Sequence, residues 1–236
     1  MSGHSKWATT KHQKAVTDAR RSSLFTKIAN LISISARSGG DPSMNFQLRL
    51  AIDKARAANM PKDKIERAIK RGTGELGGEQ IEEVVYEAYG IAGTAILIEA
   101  LTDNKNRTSA EIKGVLNKFG GKLAETGSVS YLFSCKGLIR AEADTLQDEA
   151  EMLIIGSGAD DYQTSDDIYL IYSHPEKLYV VKNFLENNGF VVKSAELVWE
   201  PNITIELDDE QSQKAIKLLE ALDELDDVSA VSSNLG

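Results

Sequence analysis

The chain has 236 residues, 42% of them hydrophobic and 27% charged, with one cysteine and a formal net charge of −9 at pH 7. That length suits two or three domains with cores of their own, the lone Cys135 excludes an internal disulfide, and no apolar run approaches the ~20 residues of a membrane span. The overall charge hides an asymmetry: residues 1–72 hold 15 Lys and Arg against 5 Asp and Glu, net +10, whereas residues 73–236 hold 12 against 31, net −19. Such a split points to a polyanion as the partner of the basic part, with the acidic remainder repelled by phosphate. The opening MSGHSKWATTKHQKA lacks the apolar stretch of a secretory signal. A single thiol suits a reducing compartment, and a cytoplasmic location is the expectation.

Residues 1–21 read as a polar, basic arm, partly helical. Ser22 or Ser23 is expected to cap a helix carrying Leu24, Phe25, Ile28, Leu31 and Ile32 at helical spacing, stopped by Gly39-Gly40. Asn45 is placed to cap a second helix and Pro61 to open a third, which Gly72 ends. Three short helices with short loops make a helical domain of residues 22–72. TGELGGEQ, residues 73–80, is a linker by composition. Beyond it the period changes to strand alternation at Val84, Tyr86 and Ala88, then a buried strand over residues 94–101. Thr108 with Glu111 reads as a capping box before a helix, and residues 129–133 read as a further strand. Residues 136–201 then run strand, helix, strand, strand, helix, strand, with Ser173 and Glu176 as the second helix's capping box. That is the βαββαβ ferredoxin-like order. The tail reads as a strand at 203–207, a helix at 209–225 and a strand at 228–232. It completes the sheet begun by residues 81–135, so that domain is expected to be discontinuous, 81–135 plus 202–236. The fold class is therefore α+β: an N-terminal helical domain followed by two α/β sandwich-type domains, one ferredoxin-like.

Three segments are candidates for chemistry. In the arm, Lys6, Lys11, Lys14, Arg20 and Arg21, with Trp7 and His12 interleaved, suit phosphate contact and stacking on an unpaired base; a solvated tail with Trp7 docked on the body is the plainer account. In PKDKIERAIKRG, Lys64, Arg67 and Arg71 fall at i, i+3 and i+7, one stripe of a helix, with Lys70 beside it; cations near a helix C-terminus also complement its dipole. In TDNKNRT, Asn104, Lys105, Asn106 and Arg107 offer an anion-binding loop before a helix, although turn and cap chemistry accounts for most of it. No catalytic frame emerges. His4, His12 and His174 lack metal-ligand spacing, Cys135 stands alone, and no phosphate-binding glycine loop or nucleophile elbow is written. The acidic clusters Asp160-Asp161, Asp166-Asp167 and Asp208-Asp209-Glu210 read as turns and helix starts. The expectation is a non-enzyme without cofactor, metal, small-molecule substrate or membrane partner.

Four blocks, GHSKW at 3–7, NMPKDKIERAIKRG at 59–72, ALTDNKNRT at 100–108 and GSVSYLF at 127–133, resemble the YebC family, whose mitochondrial relative is the translational activator of cytochrome c oxidase subunit I. The resemblance runs the length of the chain and is most specific in the first 135 residues. Thr9-Thr10 and Arg21-Ser22-Ser23 depart from the family pattern around the basic arm. The resemblance implies three domains, one helical and two α/β, around a cleft, and a cytoplasmic DNA-binding transcriptional regulator. It also implies a competing role on ribosomes in synthesis through proline-rich stretches. It carries Lys6, Trp7, Lys11, His12, Lys14, Lys64, Arg67, Lys70, Arg71, Asn104, Asn106 and Arg107 as motif residues, and no catalytic ones. The function expected is thus a nucleic-acid-binding regulator of gene expression, a DNA-binding transcriptional regulator. The alternatives are a ribosomal-RNA-associated translation factor and, in another class, a protein-interaction adaptor. No recognition helix with base-reading Asn, Gln and Arg is evident, and the cations suit phosphate better than base edges.

Overall fold

The computed structural model describes residues 18–77, 81–143, 146–165 and 168–236, with side chains from residue 23 onward except that of Ser165. Three helices come first: α1 (Asp18–Ala36), α2 (Phe46–Ala57) and α3 (Lys62–Gly72). They bury Ile28, Ile32 and Ala36 of α1 against Leu48, Ala51, Ile52 and Ala55 of α2 and Ile65 and Ala68 of α3. Asn45 caps α2 as expected, its side-chain oxygen accepting from Leu48 N at 3.0 Å. Neither Ser22 nor Ser23 caps α1. Both lie inside it, because Asp18, Ala19, Arg20 and Arg21 already have helical backbone. Ser23 instead donates to the Asp226 carboxylate at 2.7 Å.

The residues up to Phe133 and Glu200–Gly236 form one unit, and Ser134–Trp199 another. In the first, β1 (Glu82–Tyr89), β2 (Ala95–Thr102), α4 (Lys105–Lys118) and β3 (Lys122–Leu123) precede β4 (Phe133–Ala143). The tail contributes a helix and a strand to this unit. Strands β1 and β2 pair antiparallel, Glu82 opposite Thr102 and Tyr89 opposite Ala95.

The second unit continues β4 into α5 (Gln147–Gly156), β5 (Asp161–Ser165), β6 (Ile168–Ser173), α6 (Leu178–Asn187) and β7 (Phe190–Pro201). Its sheet order β5-β6-β4-β7, with β6 antiparallel to β4 and β5, is ferredoxin-like. Ile139 and Ile171 are fully buried, as are Ala150 and Ile154 of α5 and Leu178 and Leu185 of α6. Returning to the first unit, α7 (Asp209–Asp223) and β8 (Val228–Ser233) complete it, and its sheet runs β3-β1-β2-β8. Its core packs Ile96, Ile98, Ile112 and Leu116 against Ala215, Leu218, Leu219 and Leu222 of α7. Residues from before and after the second unit therefore share one core.

Four local expectations fail, each for a stated reason. Thr108 does not open α4, because Asn104 caps it three residues earlier, accepting from Arg107 N at 3.1 Å; Thr108 is buried in the first turn. Of residues 129–133 only Phe133 is strand, as the first residue of β4; a 3₁₀ turn (Ser130–Leu132) leads into it. Their backbone donors serve a side chain: Glu87 accepts from Gly127 N at 2.7 Å, Val129 N at 2.6 Å and Ser130 N at 3.0 Å. Ser173 does not cap α6. It is the last residue of β6, paired opposite Gly137 and wholly buried, and a 3₁₀ turn (Pro175–Lys177) intervenes before the helix. Residues 203–207 make a single bridge, Ile205 to Leu235, with Ile203 68% exposed; of the apolar alternation there, Leu207 packs against the first unit's core and Ile203 does not.

Candidate nucleic-acid interface

Helix α3 is short and strongly two-sided. Ile65 and Ala68 are buried and Ile69 is half-buried, while Lys64, Arg67, Lys70 and Arg71 are all exposed. The sequence spacing fixes this outcome, since residues three and four apart share a helix face. Within the chain, Lys62 takes the helix's glutamate, Nζ to Glu66 at 3.7 Å. Lys64, Arg67, Lys70 and Arg71 make no ion pair among the described residues. Lys64 Nζ sits 5.3 Å from the centroid of the Phe25 ring on α1, a cation–π contact that steadies the stem and leaves the charge outward.

Helix α1 holds this platform on the α/β part of the same unit. Ser23, Lys27, Asn30 and Arg37 recur at helical spacing. They reach Asp226, the Asp223 carbonyl oxygen, the Leu101 carbonyl oxygen and the Ile81 carbonyl oxygen respectively. The basic face is therefore carried on a fixed support. Arg71 also lines a cavity of about 560 Å³ with Thr26, Asn30, Asp103, Glu111 and Asp227. Its charged lining is five carboxylates, Asp103, Glu111, Glu224, Asp226 and Asp227, against the guanidinia of Arg71 and Arg107, a balance that opposes phosphate.

The expected anion loop is organised differently. Lys105 pairs with Glu82 at 2.5 Å. The Arg107 guanidinium lies 3.0 Å from Asp103 and 2.7 Å from Asp227, and these hydrogen bonds raise its pKa further. Asn104 is spent as the cap, and Asn106 is exposed on the first turn. Burial opposes ionisation of Asp227, but hydrogen bonds from Thr108 (2.7 Å), Arg107 and Thr102 (3.1 Å) outweigh it and hold the carboxyl below its ordinary range. This cluster ties α4 to the tail, with the Leu101 N–H donating to the Asp227 carbonyl oxygen at 2.8 Å.

Lys6, Trp7, Lys11, His12 and Lys14 lie outside the described residues, as does the Asp166-Asp167 pair; Arg20 and Arg21 belong to α1 but their side chains are not described. Among the described residues no three His, Cys, Asp or Glu side chains gather to hold a metal ion, and no helix is long and apolar enough to cross a membrane. Asp208, one of the acidic candidates, caps α7 by accepting from Gln211 N at 2.8 Å. Two features escaped the sequence reading: the Glu87 carboxylate seated in three backbone amides, and the polar stripe of α1. The stripe had a signal, polar residues recurring at helical spacing within an apolar helix; the Glu87 seat had none, since its donors are backbone.

Residues 5–75 match the family model described as the TACO1/YebC protein N-terminal domain, and residues 81–235 match the TACO1/YebC second and third domain. A probable transcriptional regulatory protein of Treponema denticola is 49% identical, covering 100% of this chain and 96% of the relative. One of the same name from Aquifex aeolicus is 48% identical, covering 99% and 95%. The crystal structure of a conserved hypothetical protein from Aquifex aeolicus superposes with a TM-score of 0.90 at 46% identity, over 98% of this chain and 97% of that one. Full-length agreement in sequence, domain order and fold places the chain in the TACO1/YebC family.

Proposed function

We propose that this protein regulates gene expression by holding nucleic acid through its phosphates, with the outer face of α3 as the fixed part of the contact surface. The observation that carries the reading is the stripe of Lys64, Arg67, Lys70 and Arg71, four exposed cations on one helix with no ion pair among the described residues. Cations left unpaired on a rigid element bind a polyanion without first breaking an internal contact, and they release its counterions on binding. The basic arm adds Lys6, Trp7, Lys11, His12, Lys14, Arg20 and Arg21 to the proposed contact set by its composition. The names of the relatives, probable transcriptional regulatory proteins, support a regulator of transcription. Asn104, Lys105 and Arg107 stand outside the contact set, because the protein's own backbone and carboxylates hold them.

A second reading rests on the chemistry of the stripe itself. Lys and Arg without neighbouring Asn or Gln position a protein on phosphates and carry little base readout, which suits folded RNA on the ribosome as well as duplex DNA. Sucrose-gradient fractionation of cells expressing wild type or the K64E/R67E/K70E/R71E variant separates the two. Wild type migrating with ribosomes, and the variant left at the top, supports the RNA reading. Wild type at the top but crosslinked to chromosomal DNA supports the transcriptional one. Neither association, or both unchanged in the variant, rejects the phosphate-binding role of α3.

A further inference from the structure

We propose that the outer helical face of the ferredoxin-like unit docks a basic, apolar polypeptide segment of another protein. Residues 141–176 carry ten Asp and Glu and no Lys or Arg. Within that stretch α5 buries Ala150 and Ile154 and turns outward Met152, 71% exposed, and Ile155, 67% exposed, with Leu146 just before it 80% exposed. Asp148, Met152 and Ile155 fall at i, i+4 and i+7, one stripe alternating charge and apolar surface. Helix α6 buries Leu178, Val181 and Leu185 and leaves Val180 62% exposed. In a ferredoxin-like unit both crossovers are right-handed and both helices cover the same face of the sheet, so the outward apolar side chains of α5 and α6 belong to one surface.

Asp148 and Glu149 in the first turn of α5 favour the helix dipole. That account does not reach Met152 and Ile155, which lie in the second half of the helix. Contiguous exposed apolar side chains mark interaction sites, and the charge around these selects the occupant. The cation-free α5 side of this surface repels nucleic acid and anionic membranes; the cations on the α6 side are Lys177 and Lys182, the latter paired with Glu186 at 2.8 Å. The same face of a second copy would set like charges against each other. A segment rich in Lys or Arg with interspersed apolar residues complements both features: its cations meet Asp148, Glu149 and Glu151, and its apolar side chains cover Met152 and Ile155.

The face is separate from α3, and its test is independent of nucleic acid. The full chain, labelled with ¹³C at its methionine methyls, is titrated with an 18-residue helical peptide of Leu and Lys, and with its counterpart bearing Glu for Lys. The Lys peptide is expected to shift Met152 while Met44 and Met60 stay in place, to bind at least tenfold more weakly to M152S/I155S, and to lose affinity with salt. The Glu peptide is expected not to bind. M152S/I155S keeps the wild-type melting temperature and nucleic-acid affinity, since both side chains are exposed. The proposal is overturned by equal binding to the double variant, by shifts at Met44 or Met60 instead, by no binding of the Lys peptide, or by concentration-dependent self-association that shifts Met152 without peptide.

Discussion

Gly72 closes α3 so tightly against the backbone of Ser33 that a β-carbon there would lie 2.2 Å from the Ser33 carbonyl oxygen and 2.7 Å from Ala36 Cβ. The sequence suggests a different role, a glycine that ends the helix. The structure keeps Gly72 as the last helical residue and gives the left-handed backbone to Gly74, at φ +84°. The missing side chain is what lets α1 and α3 approach. Gly72→Ala is expected to push α3 away from α1 and to cost about 2 kcal/mol, read by urea unfolding. An unchanged midpoint would show that the two helices separate freely.

Glu87 is 4% exposed and held by three backbone amides. Burial raises its pKa and the hydrogen bonds from Val129, Gly127 and Ser130 lower it further, so the carboxyl titrates below its ordinary 4.5. A depressed carboxylate contributes stability that is complete above the unfolded-state value and is lost as pH falls through the folded-state value. Glu87→Gln is expected to cost about 2 kcal/mol at pH 7 and to flatten the fall in stability below pH 4.5. Urea midpoints for both proteins across the acid range check this; parallel curves would refute it.

Asp227 joins the tail to α4 through Thr108 and Arg107. Asp227→Asn keeps the size of the side chain but leaves two donors poorly matched. A loss of about 2 kcal/mol is expected, measured by thermal unfolding. Its pH dependence has the same sign as that of Glu87, because this carboxyl too is depressed.

The start of α4 separates the structure from the sequence pattern. With Asn104 as the cap, Asn104→Ala costs about 1 kcal/mol, whereas Glu111→Ala, one turn beyond, has little effect. The capping-box pattern at Thr108 and Glu111 predicts the reverse. Chemical unfolding of the two variants decides.

Much of the architecture is legible because periodicity reports burial directly. Ile28 and Ile32, Ile65 and Ala68, Ile112 and Leu116 all face cores at the helical spacing that marks them. Signals for caps are weaker, because Ser and Thr also serve inside elements. Ser23 is occupied by Asp226, and Thr108 by Asp227, partners about 200 and 120 residues away along the chain that no local window contains. GSVSYLF misleads for the same reason. Its apolar alternation reads as a strand, but its N–H groups are claimed by Glu87 from another element. The α3 stripe is legible because it depends only on spacing within one helix. Whether its cations are paired depends on every other element, and only the folded chain shows them without ion-pair partners among the described residues.

We propose above that α3 meets nucleic acid through phosphates. The most direct test is the affinity of wild type and of the K64E/R67E/K70E/R71E variant for a mixed-sequence duplex and an RNA hairpin, each measured against salt concentration. Log affinity falls with log salt in proportion to the phosphates neutralised. The account predicts a slope about 3 units shallower on the duplex and weaker binding at every salt concentration for the variant, with little dependence on sequence. An unchanged slope and affinity, with the variant folded, would contradict it.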